Sequence, residues 1–167
     1  MSCLLCVLPG AQAASTTVSN TLDANIKALG ALSVPGTVTL AGSGKVFNSF
    51  TGSLTVQYRA RTTSTGGGNL TMQVTRDFQT GGPSVASGDL TYVCGTAGLG
   101  TACGSTTAST SSATAVVTLP ASACTGGGSP CSSTDPNTVS VTFTLADRPV
   151  VTTGSYTASV QFTISAT

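Results

Sequence analysis

Leu54-Thr55-Val56-Gln57-Tyr58-Arg59-Ala60-Arg61 decides how this chain is read. Apolar and polar residues alternate through the stretch without a slip. In an extended backbone Leu54, Val56, Tyr58 and Ala60 therefore share one face, and Thr55, Gln57, Arg59 and Arg61 share the other. A helix would scatter the same residues around its circumference. The pattern is that of a strand with one side on a core.

Working outward, the same period of two recurs. Leu70, Met72 and Val74 alternate with Thr71, Gln73 and Thr75, and Val139, Val141, Phe143 and Leu145 alternate with Ser140, Thr142 and Thr144. Tyr156, Ala158, Val160, Phe162 and Ile164 alternate with Thr157, Ser159, Gln161, Thr163 and Ser165. Weaker strands are expected at 16–22, 25–34, 36–41, 89–94 and 113–119, separated by Gly, Pro, Asn and Asp that supply turns. The segment Asp23 to Leu32 is the nearest to a helical pattern. Gly30 interrupts it, and it reads equally well as an early strand ending at Val34-Pro35-Gly36. The strands at 54–61 and 70–78 are expected to form one hairpin. In that reading Gly66-Gly67-Gly68 is a flexible bend, as is Gly126-Gly127-Gly128 further on. About eight short strands joined by turns predict an all-β chain folded as a single immunoglobulin-like antiparallel β-sandwich with two small disulfide loops.

Composition narrows the function. The 167 residues include no His, no Glu and no Trp, only 7% are charged, and Ser and Thr supply about a third of the chain. His and Glu are the usual carriers of protons and metal ions near neutral pH, so an enzyme is not expected, nor a cofactor or catalytic residue. The acids are Asp23, Asp77, Asp89, Asp135 and Asp147, and none has a close partner in sequence for paired-carboxylate hydrolysis. A Ser–Lys dyad would need Lys27 or Lys45, and neither lies in a supporting motif. An intramolecular Lys–Asn crosslink normally needs a buried Glu or Asp beside it, and Glu is absent, so none is expected. Asp135-Pro136-Asn137 could lend oxygens to calcium, but reads more simply as a turn leading into the strand at 139. Asn69-Leu70-Thr71 is a formal glycosylation sequon at a strand start, and Tyr156 looks like a corner residue that packs on the core. A net charge of +1, with Arg59 and Arg61 the only close basic pair, argues against nucleic acid.

The N-terminus reads as an export signal over 1–13. Leu4, Leu5, Val7 and Leu8 form an apolar run, and Ala11-Gln12-Ala13 fits small-x-small cleavage. Residues 14–23 would then be an N-terminal arm or first strand, and 24–167 the sandwich domain. No other apolar run is long enough to span a bilayer, so no membrane span is expected in the mature chain. Cleavage leaves Cys94, Cys103, Cys124 and Cys131, an even number in an exported chain. Four cysteines permit three connectivities. The local one, Cys94–Cys103 and Cys124–Cys131, is favoured because each bridge closes a small Gly-rich loop, 95–102 and 125–130. Four thiolates could also hold zinc, but these spacings are wider than the tight Cys pairs of such sites.

The C-terminal stretch Gly154-Ser155-Tyr156-Thr157-Ala158-Ser159-Val160-Gln161-Phe162-Thr163-Ile164-Ser165 resembles the terminal strand of exported bacterial sandwiches of the spore-coat-U and fimbrial-subunit type. That resemblance implies an incomplete immunoglobulin-like fold, completed when the N-terminal segment of one subunit adds a strand to the next. It also implies an export chaperone as partner. The donor piece would be about Ala14 to Leu22, with Thr16, Val18, Asn20 and Leu22 facing inward. The expected function is a secreted structural subunit of a bacterial surface fibre or coat, forming a homo-oligomer or polymer at the cell surface through strand edges. The alternative is a monomeric surface binding or adhesion module that presents its Gly-rich disulfide loops.

Overall fold

The computed structural model describes residue 21, residues 23–124, residue 131 and residues 134–167. These form ten strands and no helix: β1 (Leu29–Ser33), β2 (Ala41–Gly42), β3 (Phe50–Arg61), β4 (Gly68–Arg76), β5 (Leu90–Cys94), β6 (Thr101–Ala102), β7 (Ser105–Thr107), β8 (Thr114–Leu119), β9 (Asn137–Leu145) and β10 (Ser159–Ala166). The segment 1–13 expected to be an export signal, most of the expected arm 14–23 and the loop 125–130 lie outside the described residues.

Two antiparallel sheets form. One runs β1-β3-β9-β5-β7, with β2 also on β3, and the other runs β10-β4-β8-β6. The order β1-β3-β9-β5 is the A-B-E-D sheet of an immunoglobulin-like sandwich, and β4 beside β10 is its C-F pair. The strands β6, β7 and β8 are inserted between D and E and widen both sheets. Inward residues meet between the layers, where Val56, Tyr58, Leu70, Met72, Val74, Tyr92, Val116, Val117, Val139 and Val141 are almost fully buried. Each such aliphatic side chain is worth about 1.5–3 kcal/mol relative to exposure, so the alternation read from sequence is also the main source of stability.

The expected hairpin between 54–61 and 70–78 does not form. β3 and β4 belong to opposite sheets, so their apolar faces meet across the core instead of lying side by side. The connection is a packed crossing. Thr62 is buried, and its hydroxyl donates to Pro120 O at 2.8 Å and accepts from Ala123 N at 2.8 Å. Thr63 N donates to Thr167 O at 2.9 Å. Gly66, Gly67 and Gly68 are not a flexible bend. A Cβ on each would run into the backbone oxygens of Thr167, Leu119 and Ser165 respectively, so glycine is needed for close approach.

The strand expected at 36–41 shrinks to Ala41–Gly42, and that at 25–34 to Leu29–Ser33. Both pieces lie on one edge of β3, but Leu29 pairs with Arg61 while Ala41 pairs with Thr51, leaving two residues of slack in 34–40. Pro35 cannot donate to the ladder, and the chain bulges there. The long C-terminal run begins pairing only at Ser159, because Tyr156 is used as a corner. Its hydroxyl donates to Thr152 O four residues back at 2.6 Å, at the turn from strand E into strand F, as a tyrosine corner does.

Candidate functional site

The cysteines pair as Cys94–Cys103 and Cys124–Cys131, each with Cα atoms 5.2 Å apart, so they are not available as zinc thiolates. The first bridge closes one lateral side of the sandwich. From Cys94 in β5 the chain crosses to β6 in the other sheet, and Cys103 returns it to β7. The loop between is tied down along its length. Gly95 N donates to Ser140 O at 2.7 Å, Gly98 N donates to Thr138 O at 3.0 Å, and β6 pairs with β8. Tyr58 reaches through the core to hold the tip. Its hydroxyl donates to Leu99 O at 2.5 Å and accepts from Leu99 N at 3.1 Å. Burial pushes the Tyr58 hydroxyl pKa up, and the bond to Leu99 offsets this only in part. A loop so fixed is a structural closure of the sandwich rather than a freely presented finger.

The opposite lateral side is open. Here the half-buried row Leu32, Val34, Val38 and Leu40 faces the half-buried row Val160, Phe162 and Ile164 of β10. The two edges touch at one end, where a Cβ on Gly30 of β1 would lie 3.1 Å from Ile164 Cγ2. They separate toward the other end. An apolar groove opens there between residues 34–40 and 155–162, with Leu54, Phe78, Phe143 and Leu145 among its lining. β10 pairs with β4 on one side only, and among the described residues no strand pairs with its other edge. That edge is where strand G would follow F in a complete immunoglobulin-like sheet.

The open end of the groove is built by the loops 77–89 and 146–158. Asp77 and Asp89, the two ends of the first of these loops, meet on Ser84: its Oγ donates to Asp77 Oδ2 at 3.2 Å and its backbone N donates to Asp89 Oδ2 at 2.9 Å. Asp77 also accepts from Phe78 N at 2.8 Å and Val85 N at 2.9 Å. Burial pushes the Asp77 carboxyl up, but the Val85, Phe78 and Ser84 donors outweigh it and hold the group below the usual carboxylate range. Asp89 is buried and takes Arg148 Nε in an ion pair. Both carboxylates are thus committed to organising loops. Sequence spacing gave no sign of this pair, because the loop that folds back between them carries no periodic signal.

The remaining sequence candidates are scattered. Lys27 and Lys45 are exposed in separate loops, Asn69 is the second residue of β4, and Asp135 and Pro136 sit in the bend before β9, which Asn137 opens. Among the described residues no helix is long and apolar enough to cross a membrane. Comparison with known proteins gives no match, whether to family models, to curated proteins or to solved structures.

Proposed function

We propose that this chain is a secreted structural subunit of a bacterial surface fibre or coat, and that copies join by completing one another's open side. The observation that carries this reading is the apolar groove beside the unpaired edge of β10. An edge with open backbone donors and acceptors next to half-buried Val160 and Phe162 is a template for a further strand. The donor is the segment from Ala14 to Leu22 of a neighbouring copy, with Thr16, Val18, Asn20 and Leu22 turned into the groove. Export through the segment 1–13 is consistent with two disulfides, which persist in oxidising compartments. Before assembly the same groove is the surface an export chaperone would cover. The outward faces, rich in Thr and Ser and poor in charge, put little electrostatic repulsion between copies.

The test is assembly of the purified, oxidised protein. Electron microscopy should show regular polymers, and a synthetic peptide spanning Ala14 to Asp23, added in excess, should shorten them by capping free grooves. A protein that sediments as a monomer at every concentration, and ignores the peptide, would rule the proposal out.

A further inference from the structure

Six large apolar side chains among the described residues are strongly exposed, and five of them fall into two groups at opposite ends of the sandwich. Val46 (81% exposed), Phe47 (58%) and Val150 (84%) lie in the loops that precede β3 and follow β9, which leave the same end of the sandwich because Phe50 pairs with Leu145; Phe47 and Val151, the neighbour of Val150, line the groove there. Ile26 (73%) and Leu29 (64%) stand at the other end, where β1 begins beside Arg61. The sixth, Val93, lies in β5 and belongs to neither group.

Phe47 has a backbone φ of 55°, a conformation costly for a bulky residue. Local bonds hold it there: Asn48 N donates to Lys45 O at 3.4 Å, Asn48 Nδ2 to Ser43 Oγ at 2.5 Å, and Ser49 N to Asn48 Oδ1 at 3.1 Å. A strained backbone that keeps an aromatic ring in solvent at a groove mouth is a feature of binding surfaces.

We infer that Val46, Phe47 and Val150 of one copy form a docking surface for Ile26 and Leu29 of the next, giving a head-to-tail contact between subunit bodies. The inference rests on the strand-donation reading for its geometry. The groove is closed where Gly30 meets Ile164 and open beside Phe47, so a donated strand leads back to its own subunit from the Phe47 end. Leu22 and Leu29 are seven residues apart, so they can be separated by at most about 25 Å when the chain between them is fully extended. The end of the donor body that carries Ile26 and Leu29 is therefore delivered to the Val46–Phe47–Val150 patch. The charges at the contact are mixed in sign: Asp23, Lys27 and Arg61 lie near Ile26 and Leu29, and Lys45, Asp147 and Arg148, the last paired with Asp89, flank the patch. Because the two surfaces differ, the contact is heterologous and extends into an open filament unless its rotation closes a ring.

A charge exchange tests this. Phe47→Lys and Leu29→Asp, each alone, place one charge in an apolar contact and should slow polymer growth, followed by light scattering, by at least about tenfold. The double variant puts Lys opposite Asp at every head-to-tail contact and should recover to within about threefold of the parent protein. Both positions are exposed, so thermal unfolding of the monomers should match the parent. Single variants that grow at the parental rate, or a double variant no faster than the singles, overturn the inference. Capping by the 14–23 peptide reports separately on strand donation. Charge rescue without capping removes the donated strand and leaves the end-to-end contact, while capping without rescue does the reverse.

Discussion

Replacing Tyr58 with Phe should unlatch the crossing between the two sheets while leaving the core packed. The phenol ring is buried on the inward face of β3, and phenylalanine keeps that ring. What disappears is a hydroxyl that both donates to Leu99 O and accepts from Leu99 N. A fully buried orphan group costs about 1–3 kcal/mol, but Leu99 is half-buried and water can reach part of its backbone, so the two losses together should come to about 2 kcal/mol. In urea unfolding that is a midpoint shift of about 1 M at an m-value near ~2 kcal/mol per M, with the slope unchanged. The Cys94–Cys103 bridge, with a separation of 9 residues, is worth about 2.6 kcal/mol in the loop-entropy model and orders the same loop. Cys94→Ala/Cys103→Ala combined with Tyr58→Phe should therefore lose less than the sum of the separate effects. Alkaline pH gives an independent check. The folded Tyr58 pKa lies above its ordinary value near 10.0, so its contribution is full below pH 10 and is lost as pH rises toward the folded value. Tyr58→Phe should flatten that part of the stability profile. A cost below about 0.5 kcal/mol, or strict additivity with the disulfide, would refute the idea that this hydroxyl holds the loop.

Two further outcomes follow from the same structure. Asp77 has a depressed folded pKa, so its contribution is present above its ordinary value of 3.8 and disappears as pH falls through the folded one. Asp77→Asn should then cost about 1.5–3 kcal/mol at pH 7 and progressively less as pH falls below 3.8, measured by urea unfolding across that range. Gly67→Ala places a Cβ 2.8 Å from Leu119 O in the β3–β4 crossing and should lower stability by about 1–3 kcal/mol, read by calorimetry, whereas the same change in a flexible bend would be neutral or stabilising.

Strand existence was legible because it rests on local chemistry. The alternation at Leu54–Arg61, Leu70–Thr75 and Val139–Leu145 needs only a period of two and a nearby apolar phase. The disulfide pairing was legible for a similar reason, since each bridge joins cysteines close in sequence. Even the corner at Tyr156 was suggested by its place after Gly154-Ser155. The open groove was not legible. The row Val160-Phe162-Ile164 has the same pattern as the fully buried row Val139-Val141-Phe143, and only neighbours in space separate a central strand from an edge.

By itself, then, the sequence determined an all-β antiparallel sandwich, the inward residues of its main strands, and a surface poor in charge. Those properties follow from residue types a few positions apart. Tertiary structure alone decided that β3 and β4 face one another, that Gly66-Gly67-Gly68 is a packed crossing, and that Asp77 and Asp89 share Ser84. It also decided that one side of the sandwich is sealed by Cys94–Cys103 while the other stays open beside β10. An alternating strand fixes which of its faces is buried. It carries no information about which strand lies against its edge, because backbone hydrogen bonds are the same for every residue.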